Sequence, residues 1–469
     1  MSAVITDRLK KQLLVDMYKD FQDSANNYFA GIGRSENWND SDVAPVPTNS
    51  IKERRDARLQ LQSVKNITDI TFAVPRENWV SGAIYSAYDD YLAGYPTNSY
   101  YAMNNNQQIY LCLQVGRQAN GTVIASTVQP TGNTTGTPFR TADGYMWKFI
   151  YSIGALKASK FISSAYIPVA RMQDSALDNA ELDEIGVDSD SPAEDVEQQT
   201  VQSNAIGGQI VGYAVTKAGS GYPSAPSATI IGDGTEAKAT VNMNGGAIVS
   251  VTVRDSDDGT IAFGSGYTFA NVKLTSVGED SAAEIRAIIA PENGLGFDAR
   301  DDLKSSALMF NTKPDGAEGG DFIVGNDFRQ ISLLKNLTAF DSSGGLGAKF
   351  TEETGRGLKK LEIGSVNDGP FVKDVTIEGS NSLARAIIDD VNDSGDIWYH
   401  QTEATGFATF DSGDTLSIVV GGGSTTATVN KVLKGEFDPH SGELLYIDNR
   451  AAVLRSTDQT EDLKVVIQL

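Results

Sequence analysis

Thr229-Ile230-Ile231-Gly232 is followed, after four intervening residues, by Ala237-x-Ala239-x-Val241, and Thr376-Ile377-Glu378-Gly379 is followed at the same spacing by Ala384-x-Ala386-x-Ile388. The glycine-to-alanine step recurs from Gly278 to Ala283-x-Ile285 and from Gly422 to Ala427-x-Val429. A Gly-Ser-Gly-Tyr turn enters the first unit at Gly219 and the second at Gly264. Each unit reads as a strand, a tight glycine-bearing turn, and a second strand of alternating small residues. Such a hairpin cannot bury its face alone, so the hairpins must pack on one another. One pair occupies residues 205–292 and the other 341–433, and both look inserted into an older, non-repetitive core made of 1–200, 293–340 and 434–469.

The core has a strand texture of its own. Asn27–Ile32, Ile67–Val74, Gln108–Val115 and Tyr145–Ile153 are short, rich in aromatic or β-branched residues, and bounded by Gly, Asn or Pro. Near the start, Leu9, Leu13, Leu14, Met17 and Phe21 fall on one stripe at helical spacing, with Thr6 or Asp7 placed as the cap. The mixed-sign opposite face, with Lys10, Lys11, Asp16, Lys19 and Asp20, is that of a docked surface helix. Asp174–Gln199 carries many acidic and few large apolar side chains, which predicts a poorly packed acidic connection at the first boundary. The expected fold is therefore α+β, mainly β and multidomain, with an antiparallel β-sandwich-like core and an inserted β-hairpin repeat domain or domains.

Length and charge bound the rest. At roughly 150 residues per domain, 469 residues make about three domains. With 38 basic and 61 acidic residues the formal net charge is −23, so neither nucleic acid nor an anionic membrane is an expected partner. Cys112 is the single cysteine and cannot form an internal disulfide; with only His400 and His440 beside it, the usual Cys/His zinc site cannot be assembled. No stretch approaches the roughly 18–20 apolar residues of a bilayer span. A cytoplasm-like compartment is expected while the protein is made.

Chemistry finds little purchase. His400 lies in Trp398-Tyr399-His400 and His440 in Asp438-Pro439-His440-Ser441, neither in a nucleophile-elbow pattern. Cys112 sits in the apolar run Tyr110-Leu111-Cys112-Leu113, where an inert core thiol is the ordinary reading. Asp390-x-Asn392-x-Ser394-Gly395 resembles the first half of a calcium loop, but Gln401 replaces the bidentate glutamate, and a hairpin turn explains the residues equally well. Asp255, Asp257 and Asp258 before Gly259 pose the same choice. Gly421-Gly422-Gly423 and Gly344-Gly345 lack the lysine of a phosphate loop and read as turns. Trp38, Trp79 and Trp147 are expected in packing roles. No catalytic, cofactor-binding or metal-ligating residue is assigned.

Five segments of the core, in order, resemble a known family. Gly33-Arg34-Ser35-Glu36-Asn37-Trp38, Val74-Pro75-Arg76-Glu77-Asn78-Trp79, Asp143-Gly144-Tyr145-Met146-Trp147-Lys148-Phe149 and Asp327-Phe328-Arg329-Gln330-Ile331-Ser332 lead to Ser441-Gly442-Glu443-Leu444-Leu445-Tyr446-Ile447-Asp448-Asn449-Arg450 and a closing Thr457–Asp462 run. Together they resemble a baseplate wedge subunit of T-even-type contractile-tailed bacteriophages, across residues 1 to about 200, about 293–340 and about 434–469. The resemblance implies a non-enzymatic virion component, homodimeric, that joins neighbouring baseplate wedge proteins after assembly in the host cytoplasm. The two repeat insertions depart from the family pattern and are expected at the periphery. Two other functions stand beside it. A tail-associated carbohydrate-binding adhesin would present Tyr213, Tyr222, Tyr267 and Phe269 as an exposed aromatic row, and a glycan-degrading tail protein would set two carboxylates across a cleft.

Overall fold

The computed structural model describes residues 5–39, 41–91, 97–173, 183–275, 278–420 and 423–469. Strands take 39% of the chain and helices 11%, and the sheets are largely antiparallel, so the protein is a mainly β, α+β, multidomain chain. It divides into two compact units, each built from distant stretches. One comprises the residues through Tyr18, Thr71–Met309 and Ile467–Leu469; the other comprises Lys19–Ile70 and Phe310–Val466. All four core strands read from the sequence are present, as Tyr28–Gly33, Asp69–Pro75, Gln108–Gln114 and Met146–Ser152.

In the first unit, Gln108–Gln114 pairs with Tyr101–Met103 on one side and Met146–Ser152 on the other, with Phe139–Arg140 at the far edge. Its inner residues are buried on both faces because each face is covered, which is why the run is apolar without alternation. Tyr85, Tyr110, Tyr145, Trp147 and Phe149 fill one face together with the buried thiol of Cys112. Val201 completes that cluster from a helix, Ala193–Ser203. The expected acidic connection is thus corrected at its carboxyl end. Glu194 and Asp195 open the helix, where negative charge is favoured, and Asp195, Gln198, Val201 and Gln202 are buried. Residues 174–182 of that connection lie outside the described residues.

The helix Asp7–Gln22 forms as expected, and the Thr6 hydroxyl accepts from Leu9 N–H at 3.4 Å. The stripe is corrected. Leu14 and Val15 are the buried pair, while Leu9 and Leu13 are each 50% exposed. Tyr18 stacks on Phe72 at 5.0 Å, and this aromatic anchor turns the helix so that Leu9 and Leu13 face outward.

The first repeat pair folds as a small domain of three two-stranded ribbons, but not as two hairpins. Ile210–Lys217 pairs with Glu284–Ile289, Ser227–Gly232 with Ala270–Thr275, and Thr240–Asn244 with Ala247–Thr252. Each ribbon takes one strand from each repeat. The first strand of one copy pairs with the last of the other, so the copies interlock about an approximate twofold. The glycine turns explain why. Ser220 and Ser281 exchange backbone hydrogen bonds at 3.0 and 3.2 Å, and Thr235 and Ser265 do so at 3.1 Å in both directions. A Cβ at Gly219 or Gly264 would fall within 2.7 Å or 2.3 Å of the opposing backbone, and both residues have positive φ. Each Gly-Ser-Gly-Tyr turn therefore clasps the other repeat instead of closing its own hairpin. The domain enters and leaves at one place, with Gly208 N–H donating to Pro291 O and Ala290 N–H to Gln209 O.

In the second unit a five-stranded sheet runs in the order Thr354–Arg356, Leu61–Asn66, Tyr28–Gly33, Asp327–Lys335, Glu443–Leu454. Tyr28–Gly33 is buried along its whole length, whereas no residue of the edge strand Glu443–Leu454 is. The second repeat pair forms a closed six-stranded barrel from Lys359–Ile363 to Thr426–Leu433, filled by Leu361, Ile377, Ile388, Tyr399, Leu416 and their neighbours. Here both hairpins form, Thr376–Gly379 with Arg385–Val391 and Thr415–Val420 with Thr426–Leu433. Ile377 faces Ala386 and Leu416 faces Ala427, so the two copies correspond two residues away from the glycine-to-alanine spacing; Gly421 and Gly422 lie outside the described residues. The insertion also starts later than the repeat boundary at 341. Leu346–Lys349 and Thr354–Arg356 belong to sheets of the surrounding unit.

Candidate functional site

The structure assigns packing and turn roles to most of the residues singled out from the sequence. Cys112 is fully buried, and burial pushes its thiol far above the reactive range. His440 is exposed in a turn where its backbone N–H donates to Asp438 Oδ1 at 2.9 Å. Asp341 Oδ1 accepts from Ser343 and Gly345, making the Gly344-Gly345 segment a hairpin turn. The calcium-like segment is likewise a turn between strands. Asn392 Oδ1 accepts from Asp396 N–H at 2.8 Å, and the Asp390 carboxylate is taken by Arg356 at 3.0 Å and Lys373 at 3.2 Å. Asp255 and Asp258 accept from the backbone N–H groups of Asp257 and Thr260. Among the four candidate binding aromatics, Tyr222 and Tyr267 are in the core of the interlocked domain, and Tyr213 donates its hydroxyl to Lys238 O at 3.0 Å. Phe269 is the exposed one of the four, so no aromatic row is presented.

Residues from the recognisable segments instead converge inside the second unit. Arg329, 4% exposed on Asp327–Lys335, donates through Nε to Asp42, through one terminal nitrogen to Ser35 O at 2.6 Å, and through the other to Asn37 Oδ1 at 2.8 Å and Asp327 at 3.2 Å. A buried guanidinium with its fork this fully paired is a structural rivet. Trp38 lies 4.0 Å beneath Arg34, and its indole N–H donates to Arg450 O at 2.9 Å. Gln330 donates to Asn449 Oδ1 at 2.7 Å. Trp147, by contrast, is packed in the first unit, and Trp79 donates there to Ser126 Oγ at 3.1 Å.

Beside this rivet, the barrel meets the sheet through a buried ionisable chain. Ser35 Oγ donates to Asp389 Oδ1 at 2.7 Å; Asp389 Oδ2 stands 2.6 Å from His400 Nδ1; His400 Nε2 stands 3.5 Å from Glu36 Oε2, at ion-pair distance but without an aligned hydrogen bond. A register shift between Ile388 and Asp390 frees Asp389 from the ladder, so that two consecutive aspartates serve different partners. Burial works against the charged imidazole, but the charge and hydrogen bond of Asp389, followed by Glu36, outweigh it and push His400 up to about 10. The same contact with His400 holds the Glu36 carboxyl below its ordinary value against the opposing effect of burial. The serine bonds to the aspartate and not to the imidazole. The aspartate stands between serine and imidazole, so the three residues are not in the serine–imidazole–carboxylate order of a nucleophile relay.

Sequence reading passed over this chain because its members lie at 35–36, 389 and 400, and a histidine after Trp-Tyr carries no mark of its partner. The Asp389-Asp390 pair was the available signal. Among the described residues no cluster of three or more His, Cys, Asp or Glu side chains is arranged to hold a metal ion, and no helix is long and apolar enough to cross a membrane. No protein-family model matches the chain, and no curated protein matches it.

Proposed function

We propose that the chain is a structural subunit of a contractile phage tail baseplate, a wedge component that acts as a homodimer and joins neighbouring wedge proteins without catalysing a reaction. The observation that carries this reading is the use to which the recognisable segments are put. Ser35, Asn37 and Trp38, then Arg329 and Gln330, then Asn449 and Arg450, satisfy one another's polar groups inside one unit. Side chains spent on each other build a rigid body; they are not held free for a substrate. The edge strand Glu443–Leu454, none of whose residues is buried, supplies a surface of the kind that such a body offers to other chains.

An acidic chain of this size stays soluble until its partners arrive, and contact then relies on apolar anchors and charge complementarity. Light-scattering mass on the isolated protein tests the dimer, and a particle reconstruction with the subunit placed tests the rest. A monomer in solution, or absence of the chain from assembled tails, would refute the reading.

A further inference from the structure

The barrel and the five-stranded sheet have separate apolar cores. Leu361, Ile377, Ile388 and Leu416 belong to one, and Phe29, Val64, Leu334 and Phe437 to the other. Between them the chain passes only twice, and the two passages run side by side, Glu436 N–H donating to Arg356 O at 2.9 Å. Gly357 and Gly435 sit on these passages. A Cβ at Gly435 would come within 2.7 Å of Gly357 O, so the crossing needs glycine there to stay this close. Away from this stalk, the barrel's ties to the sheet include polar ones. Asp389 holds Ser35 and the Asn326 amide, His400 faces Glu36, and the exposed Glu403 takes Arg55 at 2.6 Å.

We propose that protonated His400 is a latch holding the barrel to the sheet, and that loss of its proton frees the barrel to move as a body on the Gly357/Gly435 stalk. The chemistry is local. Asp389 accepts the Nδ1 proton, so the proton that leaves is on Nε2, the nitrogen facing Glu36. A lone pair then faces a carboxylate, acceptor against acceptor, and the negative charges of Asp389 and Glu36 lose the cation between them. The charged groups facing the latch are Asp389 from the barrel and Glu36 from the loop after Tyr28–Gly33; behind Asp389 stands Asp374, itself near Lys373, Asp327 and Arg329, and behind Glu36 stands Arg34. The barrel's own core contains none of these groups, so it survives opening. This inference does not depend on the baseplate reading.

Amide exchange on the full-length protein, corrected for intrinsic rate, tests it in wild type and His400→Gln. At pH 7 the variant is expected to lose at least tenfold protection in peptides covering 34–38 and 324–326, while the Ile388 amide, bonded inside the barrel to Val375 O, loses markedly less. Wild type should show the same pattern above pH 10. Unchanged protection at 34–38, or loss that extends equally to Ile388, would overturn the proposal. Should His400→Gln fail to fold, Glu36→Gln serves, since Glu36 lies at the rim. The titration of the His400 ring, followed by NMR, is then expected to move down by about one pH unit; an unmoved titration overturns the latch.

Discussion

Ile210 and Ile248 hold equivalent places in the interlocked domain: Ile210 N–H donates to Phe263 O at 2.9 Å and Ile248 N–H to Ala218 O at 3.0 Å, each just before the other copy's Gly-Ser-Gly-Tyr turn. Both side chains are fully buried in the one core that the copies share. Among the described residues neither copy has a strand partner within itself, and the connection through Gly245-Gly246 joins a strand of one copy to its partner in the other.

It follows that one copy cannot fold without the other. Residues 205–292 expressed alone should give a β-type circular dichroism spectrum and a cooperative melt, whereas 205–245 should give neither. Truncating Ile248→Ala should lower the stability of the longer fragment by about 2–5 kcal/mol, and Ile210→Ala by a similar amount, in urea unfolding. A folded half-fragment would disprove the interlock.

Removal of the same domain tests its placement at the periphery. Its ends meet at Gly208 and Pro291, so a short linker can close the gap in a chain lacking 209–290. If wedge-type dimerisation rests on core segments, this deletion should keep the wild-type association state by light scattering. Loss of the dimer from a folded deletion would place the contact on the repeats instead.

In the first unit, Arg300 is 2% exposed between Asp298 and Asp183, its guanidinium 4.7 Å over Phe72. Arg300→Met leaves two buried carboxylates without their main counter-charge, although Lys11 still reaches Asp298 at 2.7 Å. A loss of about 3–5 kcal/mol is expected in urea unfolding. Arg300→Lys should recover little of it, because a shorter ammonium lacks the fixed fork through which the guanidinium takes both oxygens of Asp298 and reaches Asp183.

Asp302 is also buried, accepting from Gly296 N–H at 2.6 Å, and burial pushes its carboxyl up to about 8. Its native pKa lies above the unfolded value, so the native state binds more protons and stability falls as pH rises from about 4 to about 8. Asp302→Asn keeps an acceptor for Gly296 and removes the charge. It should flatten the urea-midpoint slope over this window and be the more stable protein at pH 8; a slope unchanged by the substitution would contradict the assignment.

His400 gives a separate window with the same sign. Its native value of about 10 exceeds the ordinary 6.5, so its contribution is complete below about pH 6.5 and is lost as pH rises through about 10. His400→Phe should cost about 3–5 kcal/mol at pH 7 by leaving Asp389 buried and uncompensated, and much less above pH 10.

The sequence by itself determined four strands of the core, because β-branched and aromatic runs between glycine, asparagine and proline favour extended chain, but not the more polar strands Leu61–Asn66, Asp327–Lys335 and Glu443–Leu454 that complete the sheet around Tyr28–Gly33. It also exposed the repeats, since duplicated small-residue spacing is a local property. It did not determine who pairs with whom. The same spacing closed hairpins in the barrel and exchanged strands in the interlocked domain, because pairing is decided by what each glycine turn can approach in space. Nor did it reveal that Leu9 and Leu13 face outward, which depends on the stacking of Tyr18 on Phe72. The Ser35, Asp389, His400 and Glu36 chain belongs wholly to the tertiary structure. A buried charge acquires its meaning from its partner, and here the partners are brought together from more than 350 residues apart.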